Sequence, residues 1–161
     1  MDKEVEKPNL SDTSINFLEE GEKFFREQNY LEAEKYFVKS VSVDPENPLI
    51  YGRLGIIYSK NDNQKDAREA LKMAVRLDPK NGFYQNNLGS ILYNMGKYSE
   101  AVLYLENATK IDEKIGKRWM NLALCYQKMG KIDDAKEAIL QAILLEPENK
   151  HYLKVQKDLS G

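Results

Sequence analysis

Few side chains in this sequence could do chemistry, and they are scattered. There is one cysteine, Cys125, and one histidine, His151, near the end of the chain. A single cysteine forms no internal disulfide and no cysteine-based zinc site. A single histidine removes most metal-ligand and acid–base schemes. Gly96, Gly116 and Gly130 each precede a lysine, but none has a glycine five places before it. The phosphate-cradling spacing of a P-loop is therefore missing, as are G-x-G-x-x-G and G-x-S-x-G. Glu19, Glu20 and Glu22 crowd together, a pattern that fits a solvated helix face. Cys125 reads as a small packing residue rather than a nucleophile. No catalytic, cofactor-binding or metal-binding residue is expected, and the chain reads as non-enzymatic.

Composition supports a folded chain with an ordinary surface. The 161 residues are 42% hydrophobic and 31% charged, enough to bury a core in one domain. The net charge of -2 is unlike the strongly basic balance of dedicated nucleic-acid domains, so no nucleic-acid partner is expected. The opening residues, Met1 to Pro8, are polar and charged, with no apolar signal region and no run long enough to span a bilayer. A cytoplasmic location is the expectation.

The positions that carry information recur every 34 residues. Asp44-Pro45-Glu46 and Asp78-Pro79-Lys80 are 34 apart, and Glu146-Pro147-Glu148 lies 68 further on. The chain falls without gaps into four rows, 14–47, 48–81, 82–115 and 116–149. Place eight is Gly21, Gly55, Gly89 and Ala123; place twenty is always alanine, at Ala33, Ala67, Ala101 and Ala135. Large apolar residues hold place eleven (Phe24, Tyr58, Leu92, Tyr126) and place twenty-four (Phe37, Leu71, Leu105, Ile139). Self-similarity at this period marks a stack of repeats, each one supersecondary unit.

Each row reads as two helices. In the fourth, Trp119, Leu122, Ala123 and Tyr126 recur at helical spacing, and Ile132, Ala135, Ile139 and Ala142 do so again. Gly130 sits between them, where a helix ends on a left-handed residue, and Gly96 does the same one row earlier. Asn29 and Asn63 are expected to fill that role in the first two rows. Asn47, Asn81 and Asn149 are placed to cap the following helices, and Pro48 suits a first helical position. Residues 1–13 read as a disordered polar tail, with Ser11 or Asp12 capping the first helix. Residues 150–161 read as a capping helix, with Tyr152 and Val155 turned inward and Lys150, Lys154, Lys157 and Asp158 in water.

The pattern resembles the tetratricopeptide repeat (TPR) family, whose unit is a 34-residue helix–turn–helix. The fourth row matches best, through Trp119, Leu122, Tyr126, Gly130, Ala135, Ala142 and Pro147. The resemblance implies an all-α fold: a right-handed α-solenoid of four units with a C-terminal capping helix. Departures are Glu20 for leucine in row one, and Gln85, Leu92 and Glu113 in row three for aromatic, tyrosine and proline. These are expected to weaken the first repeat and the joint between rows three and four.

The resemblance also implies where a partner binds. In the family, the first helices line a concave groove that holds a peptide segment or helix of another protein. Here that groove comprises Arg53, Ile56 and Lys60, then Asn86, Asn87, Ser90, Tyr93 and Asn94. The fourth row adds Lys117, Met120, Asn121, Leu124, Gln127 and Lys128. Asn87 and Asn121 share one place, so their amides are expected to lie in line as a ladder that reads peptide backbone. Of the places that clamp a chaperone C-terminus in some relatives, only Asn87 and Lys117 match. The implied function is a non-enzymatic interaction scaffold. The alternatives are a scaffold that assembles with its own copies into a homo-oligomer, and the repeat portion of a larger enzyme or of a secretion or chaperone assembly.

Overall fold

The structure is a computed structural model that describes residues 10–160, with side chains from residue 16 onward. Among the described residues it contains nine helices and no strand. They are α1 (Leu10–Arg26), α2 (Tyr30–Val43), α3 (Pro48–Lys60), α4 (Gln64–Leu77), α5 (Gly82–Asn94), α6 (Tyr98–Ile111), α7 (Gly116–Lys128), α8 (Ile132–Leu145) and α9 (Lys150–Asp158). The starts of α3, α5, α7 and α9 are spaced by 34 residues, and so are those of α2, α4, α6 and α8. Helix α1 takes in residues 10–13, which the sequence reading placed in the tail, so Ser11 and Asp12 lie inside the helix and not at its cap. The rest of the expected tail lies outside the described residues.

The turn within each pair has one construction. Its left-handed residue is Gln28 (φ 59°), Asp62 (φ 58°), Gly96 (φ 74°) or Gly130 (φ 74°). The next N–H reaches back to the carbonyl of Phe24, Tyr58, Leu92 or Tyr126 at 2.8–2.9 Å, closing the helix end. The expectation for Asn29 and Asn63 was one residue late. They instead accept from the N–H of Glu32 (3.4 Å) and Asp66 (3.3 Å), starting α2 and α4. Turns between pairs begin on the expected caps. Asn47, Asn81 and Asn149 each accept a backbone N–H at 3.1 Å, and Pro48 opens α3.

Small residues let the paired helices touch. A Cβ on Gly55 would lie 2.5 Å from Leu71 Cγ, and one on Gly89 would lie 2.6 Å from Leu105 Cγ. These contacts feed a core of two clusters. Phe37, Ile50, Leu54 and Ile57 anchor the first, and Leu88, Leu105, Leu122 and Ile139 are among those that anchor the second. Helix α9 buries Tyr152 and Val155, and Leu159 just beyond it is buried too, against the second cluster, while Lys150, Lys154, Lys157 and Asp158 are exposed.

Two expected weak points are compensated. Leucine at place seven packs toward the second helix of the preceding unit. No helix precedes α1 among the described residues, and Glu20 lies half-buried, 3.7 Å from Lys23. At the joint between α6 and α7, Arg118 is buried and donates to the carbonyls of Ala108 (3.1 Å) and Asp112 (3.3 Å). Gln85 keeps the bond its aromatic counterparts make. Tyr51 donates to the Pro45 carbonyl, Gln85 to that of Pro79 and Trp119 to that of Glu113, at 3.0, 3.0 and 2.7 Å. In these three repeats the donor at this place is supplied by an amide as well as by a phenol or an indole.

Odd-numbered helices form one layer and even-numbered helices the other. α3 touches α5 and α5 touches α7 directly, whereas no two even-numbered helices come comparably close. A stack that is tighter on one side bends toward it, so the odd helices line the inner face. Among the described residues, no helix is long and apolar enough to cross a membrane.

Candidate functional site

The inner face follows a rule set by the repeat. A side chain at place six lies next to places five and nine of the preceding unit, 35 and 31 residues earlier. Arg53 therefore meets Glu22, with its Nε 2.5 Å from Oε1 and its Nη2 3.0 Å from Oε2. Its guanidinium also sits 4.7 Å from the centre of the Phe25 ring. Asn121 meets Asn86 and Ser90: its Nδ2 donates to Asn86 Oδ1 at 2.9 Å and to Ser90 Oγ at 3.1 Å. For Asn87 the corresponding places hold Gly52 and Ile56, which offer no side-chain acceptor. Its Nδ2 turns back to the Phe83 carbonyl of its own helix, at 2.8 Å.

The two asparagines thus do different things. Asn121 braces α7 against α5, while Asn87 keeps its amide on α5. The expected in-line ladder is replaced by one inter-repeat brace and one amide without such a brace, because the preceding repeat decides what each can reach.

Two small cavities open on this face. One, of about 170 Å³, lies between α3 and α5, with Ile56, Lys60, Asn87, Ser90 and Asn94 in its wall. Another, of about 180 Å³, lies between α5 and α7, walled by Ser90, Tyr93, Asn94, Asn121 and Leu124. Ser90 and Asn94 border both. Tyr93 also packs against Tyr98, with ring centres 5.4 Å apart. Lys60, Lys117 and Lys128 are exposed, and Gln127 is half-buried. Met120, expected in the groove, is instead buried in the second core cluster. An unbranched, flexible thioether at that place fills an irregular packing gap.

The outer face holds clefts the sequence reading did not identify. The larger-walled one, of about 360 Å³, lies among α6, α7 and α8. Ala138 and Leu122 floor it, Trp119 and Tyr126 wall it, and Glu106, Glu113, Asp134 and Glu137 stand around it with Lys110. Trp119 is half-buried here and packs against the second core cluster. The Tyr126 hydroxyl donates to Glu106 Oε1 at 2.7 Å. Burial first, then that hydrogen bond and the negative charges of Glu106 and Asp134, hold this phenol protonated far above its usual range. The matching cleft two repeats earlier uses Tyr51, Tyr58, Ala70, Asp66 and Glu69. The signal was present in the recurrence of Tyr58, Asp66, Glu69 and Ala70 as Tyr126, Asp134, Glu137 and Ala138, but on each helix alone it looks like ordinary surface.

Cys125 is buried, and desolvation pushes its thiol up to about 11. It stays protonated at neutral pH and is a poor nucleophile, as a packing residue should be.

Antiparallel helix pairs repeated every 34 residues, stacked so that one layer is tighter, define the class of α-solenoids built from helix–turn–helix units. The family model described as "Region in Clathrin and VPS" matches residues 14–146. The chain belongs to that family of helical repeats, and its units are of the tetratricopeptide type. None of the curated proteins matches it. Among solved structures, the crystal structure of MamA protein is 24% identical, with a TM-score of 0.86 over 92% of this chain and 81% of that one. YrrB, described as a TPR protein with an unusual peptide-binding site, is 24% identical, with a TM-score of 0.82 over 91% of this chain and 76% of that one. The first TPR of Spaghetti (RPAP3), bound to the HSP90 peptide SRMEEVD, is 19% identical, with a TM-score of 0.67 over 70% and 92%.

Proposed function

We propose that the protein is a non-enzymatic interaction module that holds an extended segment of a partner protein along the inner faces of α3, α5 and α7. The observation that carries this reading is Asn87. It lies in the wall of the cavity between α3 and α5, and its amide makes no bond to the preceding repeat. A peptide backbone offers both a carbonyl and an N–H, and a side-chain amide can pair with both. Ser90 and Asn94 border both inner cavities, so a segment passing from one to the other meets the same hydroxyl and amide. Lys60, Lys117 and Lys128 give this face a positive fringe suited to a segment carrying carboxylates. Peptide binding by YrrB and by the RPAP3 repeat, proteins of the same fold, supports the reading. The absence of an expected nucleophile, base or metal ligand in the sequence argues for binding without chemistry.

The test begins with a partner captured from native extract and its binding segment mapped to a peptide. Calorimetry then compares the parent with Asn87→Ala. Loss of one backbone-type hydrogen bond, about 0.5–1.5 kcal/mol, weakens binding roughly twofold to tenfold. An affinity unchanged in both Asn87→Ala and Ser90→Ala would place the binding surface elsewhere. The SRMEEVD peptide is a useful negative control. The first of the clamp's two lysine places is Leu18 or Gly52 here, so that peptide is expected to bind poorly.

A further inference from the structure

We infer that the outer cleft of the fourth repeat is a second binding site, which takes an arginine side chain from a basic segment of a partner protein. Three features of the cleft support this, and none of them concerns the inner face.

The first is shape. Ala138 floors a cavity of about 360 Å³ between the rings of Trp119 and Tyr126. The third repeat has Tyr104 at the place of Ala138, Gln85 at that of Trp119 and Leu92 at that of Tyr126. The cavity there is walled by Tyr104 and rimmed by Lys72 and Arg76 as well as Glu69. That cavity is also about 360 Å³, so the fourth-repeat cleft differs from it in the aromatic faces it presents and not in size.

Charge is the second feature. Glu106, Glu113, Asp134 and Glu137 line the cleft, against Lys110 alone. Lys110 lies 3.8 Å from Glu106, and Glu106 also accepts the Tyr126 hydroxyl, so that carboxylate is satisfied within the molecule. Glu113, Asp134 and Glu137 are exposed. The second-repeat cleft is less acidic in effect, because Glu69 there is paired with Arg68 at 2.6 Å. Commitment to the fourth repeat rests on that difference.

The third feature is the aromatic surface. Aromatic faces attract cations through their quadrupole, tryptophan most strongly. Lys131 Nζ already lies 5.8 Å from the centre of the Tyr126 ring. No cation is recorded over Trp119 among the described residues. A guanidinium is planar and weakly hydrated, so it can stack on an indole while pairing with carboxylates at the rim. The aliphatic stem of arginine would cover Leu122 and Ala138.

Trp119 is the single tryptophan of the chain, so its emission reports directly on this cleft. The probes are a capped Ala-Arg-Ala peptide and its Ala-Gln-Ala counterpart, titrated separately at low salt. The arginine peptide is expected to give a saturable change in emission, and the glutamine peptide none. Asp134→Asn combined with Glu137→Gln changes two exposed side chains, leaves the melting curve unaltered and weakens the arginine peptide about threefold to tenfold. Ala138→Tyr sets a phenol on the floor of the cleft and abolishes the response. Asn87→Ala leaves it unchanged, which separates this site from the inner groove. The inference is overturned if both peptides behave alike, or if the charge-neutral variant responds like the parent. Emission that depends on protein concentration without peptide would also overturn it, by assigning the cleft to a second copy of the chain.

Discussion

The α3–α5 and α5–α7 joints use the same repeat places and close in different ways. At α5–α7, Asn121 reaches Asn86 and Ser90 and ties the helices together. At α3–α5, Asn87 finds Gly52 and Ile56, turns back on its own helix and borders a cavity. One residue type at one place is a brace in one joint and an available amide in the next. In a solenoid, the role of a side chain is thus set by the preceding unit as much as by its own. Arg53 and Glu22 make the same point at α1–α3, where the place carries an ion pair.

The largest test of this comparison strikes the helix both joints share. Gly89→Leu puts a branched side chain where a Cβ alone would lie 2.6 Å from Leu105 Cγ and 3.2 Å from the Ala101 carbonyl. The expected cost is about 1–3 kcal/mol or more. At roughly 2–4 °C per kcal/mol for a chain of this size, thermal melting followed by circular dichroism resolves it. An unchanged midpoint would mean that α5 and α6 can separate freely.

Next in size is Asn121→Ala. Two inter-repeat hydrogen bonds are lost, at about 0.5–1.5 kcal/mol each. Amide hydrogen exchange should quicken in α7 more than in α3. If the melting curve does not move, the brace is ornamental and the contrast between the joints fails.

Alkaline titration gives a smaller effect and separates the joints by chemistry. Place ten is Cys125 in α7 but Ile91 in α5 and Ile57 in α3, all three buried. The Cys125 thiol is raised from 9.0 to about 11 by burial. A raised pKa in the folded state means stability is intact below about 9 and is lost as pH rises toward about 11. Cys125→Ala should flatten the part of the pH–stability curve in that window. A curve identical to the parent's would show that the thiol ionises as readily folded as unfolded.

The smallest expected effect is that of Asn87→Ala on stability. Only an intrahelical bond is removed, so the shift should stay within about 0.5 kcal/mol, as at most surface positions. Its consequence should appear in partner affinity instead. A loss of stability equal to that of Asn121→Ala would show that Asn87 too is a brace, and would remove the main support for the inner groove as the binding site.

Much of the fold was legible in the sequence, because the repeat registers short-range rules four times over. Cap residues and turn glycines act within one or two turns of helix, and the small–large pairing at places eight and twenty-four acts within one helix pair. Even so, counting the period strictly back from Gly96 and Gly130 would have found Gln28 and Asp62 as the left-handed residues. Reading by residue type chose the neighbouring asparagines instead. Gln85 and Glu113 looked like losses because only their types were visible. The Gln85 bond to the Pro79 carbonyl and the Arg118 bonds to the Ala108 and Asp112 carbonyls lie in the geometry.

By itself, the sequence determined the period, the nine helices of the described chain and the faces each helix must bury. Those follow from backbone hydrogen bonding and helical spacing, which are local. Only the tertiary structure decided which asparagine is tied and which can be read, that Met120 is core, and that Trp119 and Tyr126 wall a cleft. Those outcomes depend on residues far apart in the chain, 31 and 35 positions for the bonds of Asn121, brought together only when one helix pair stacks on the next.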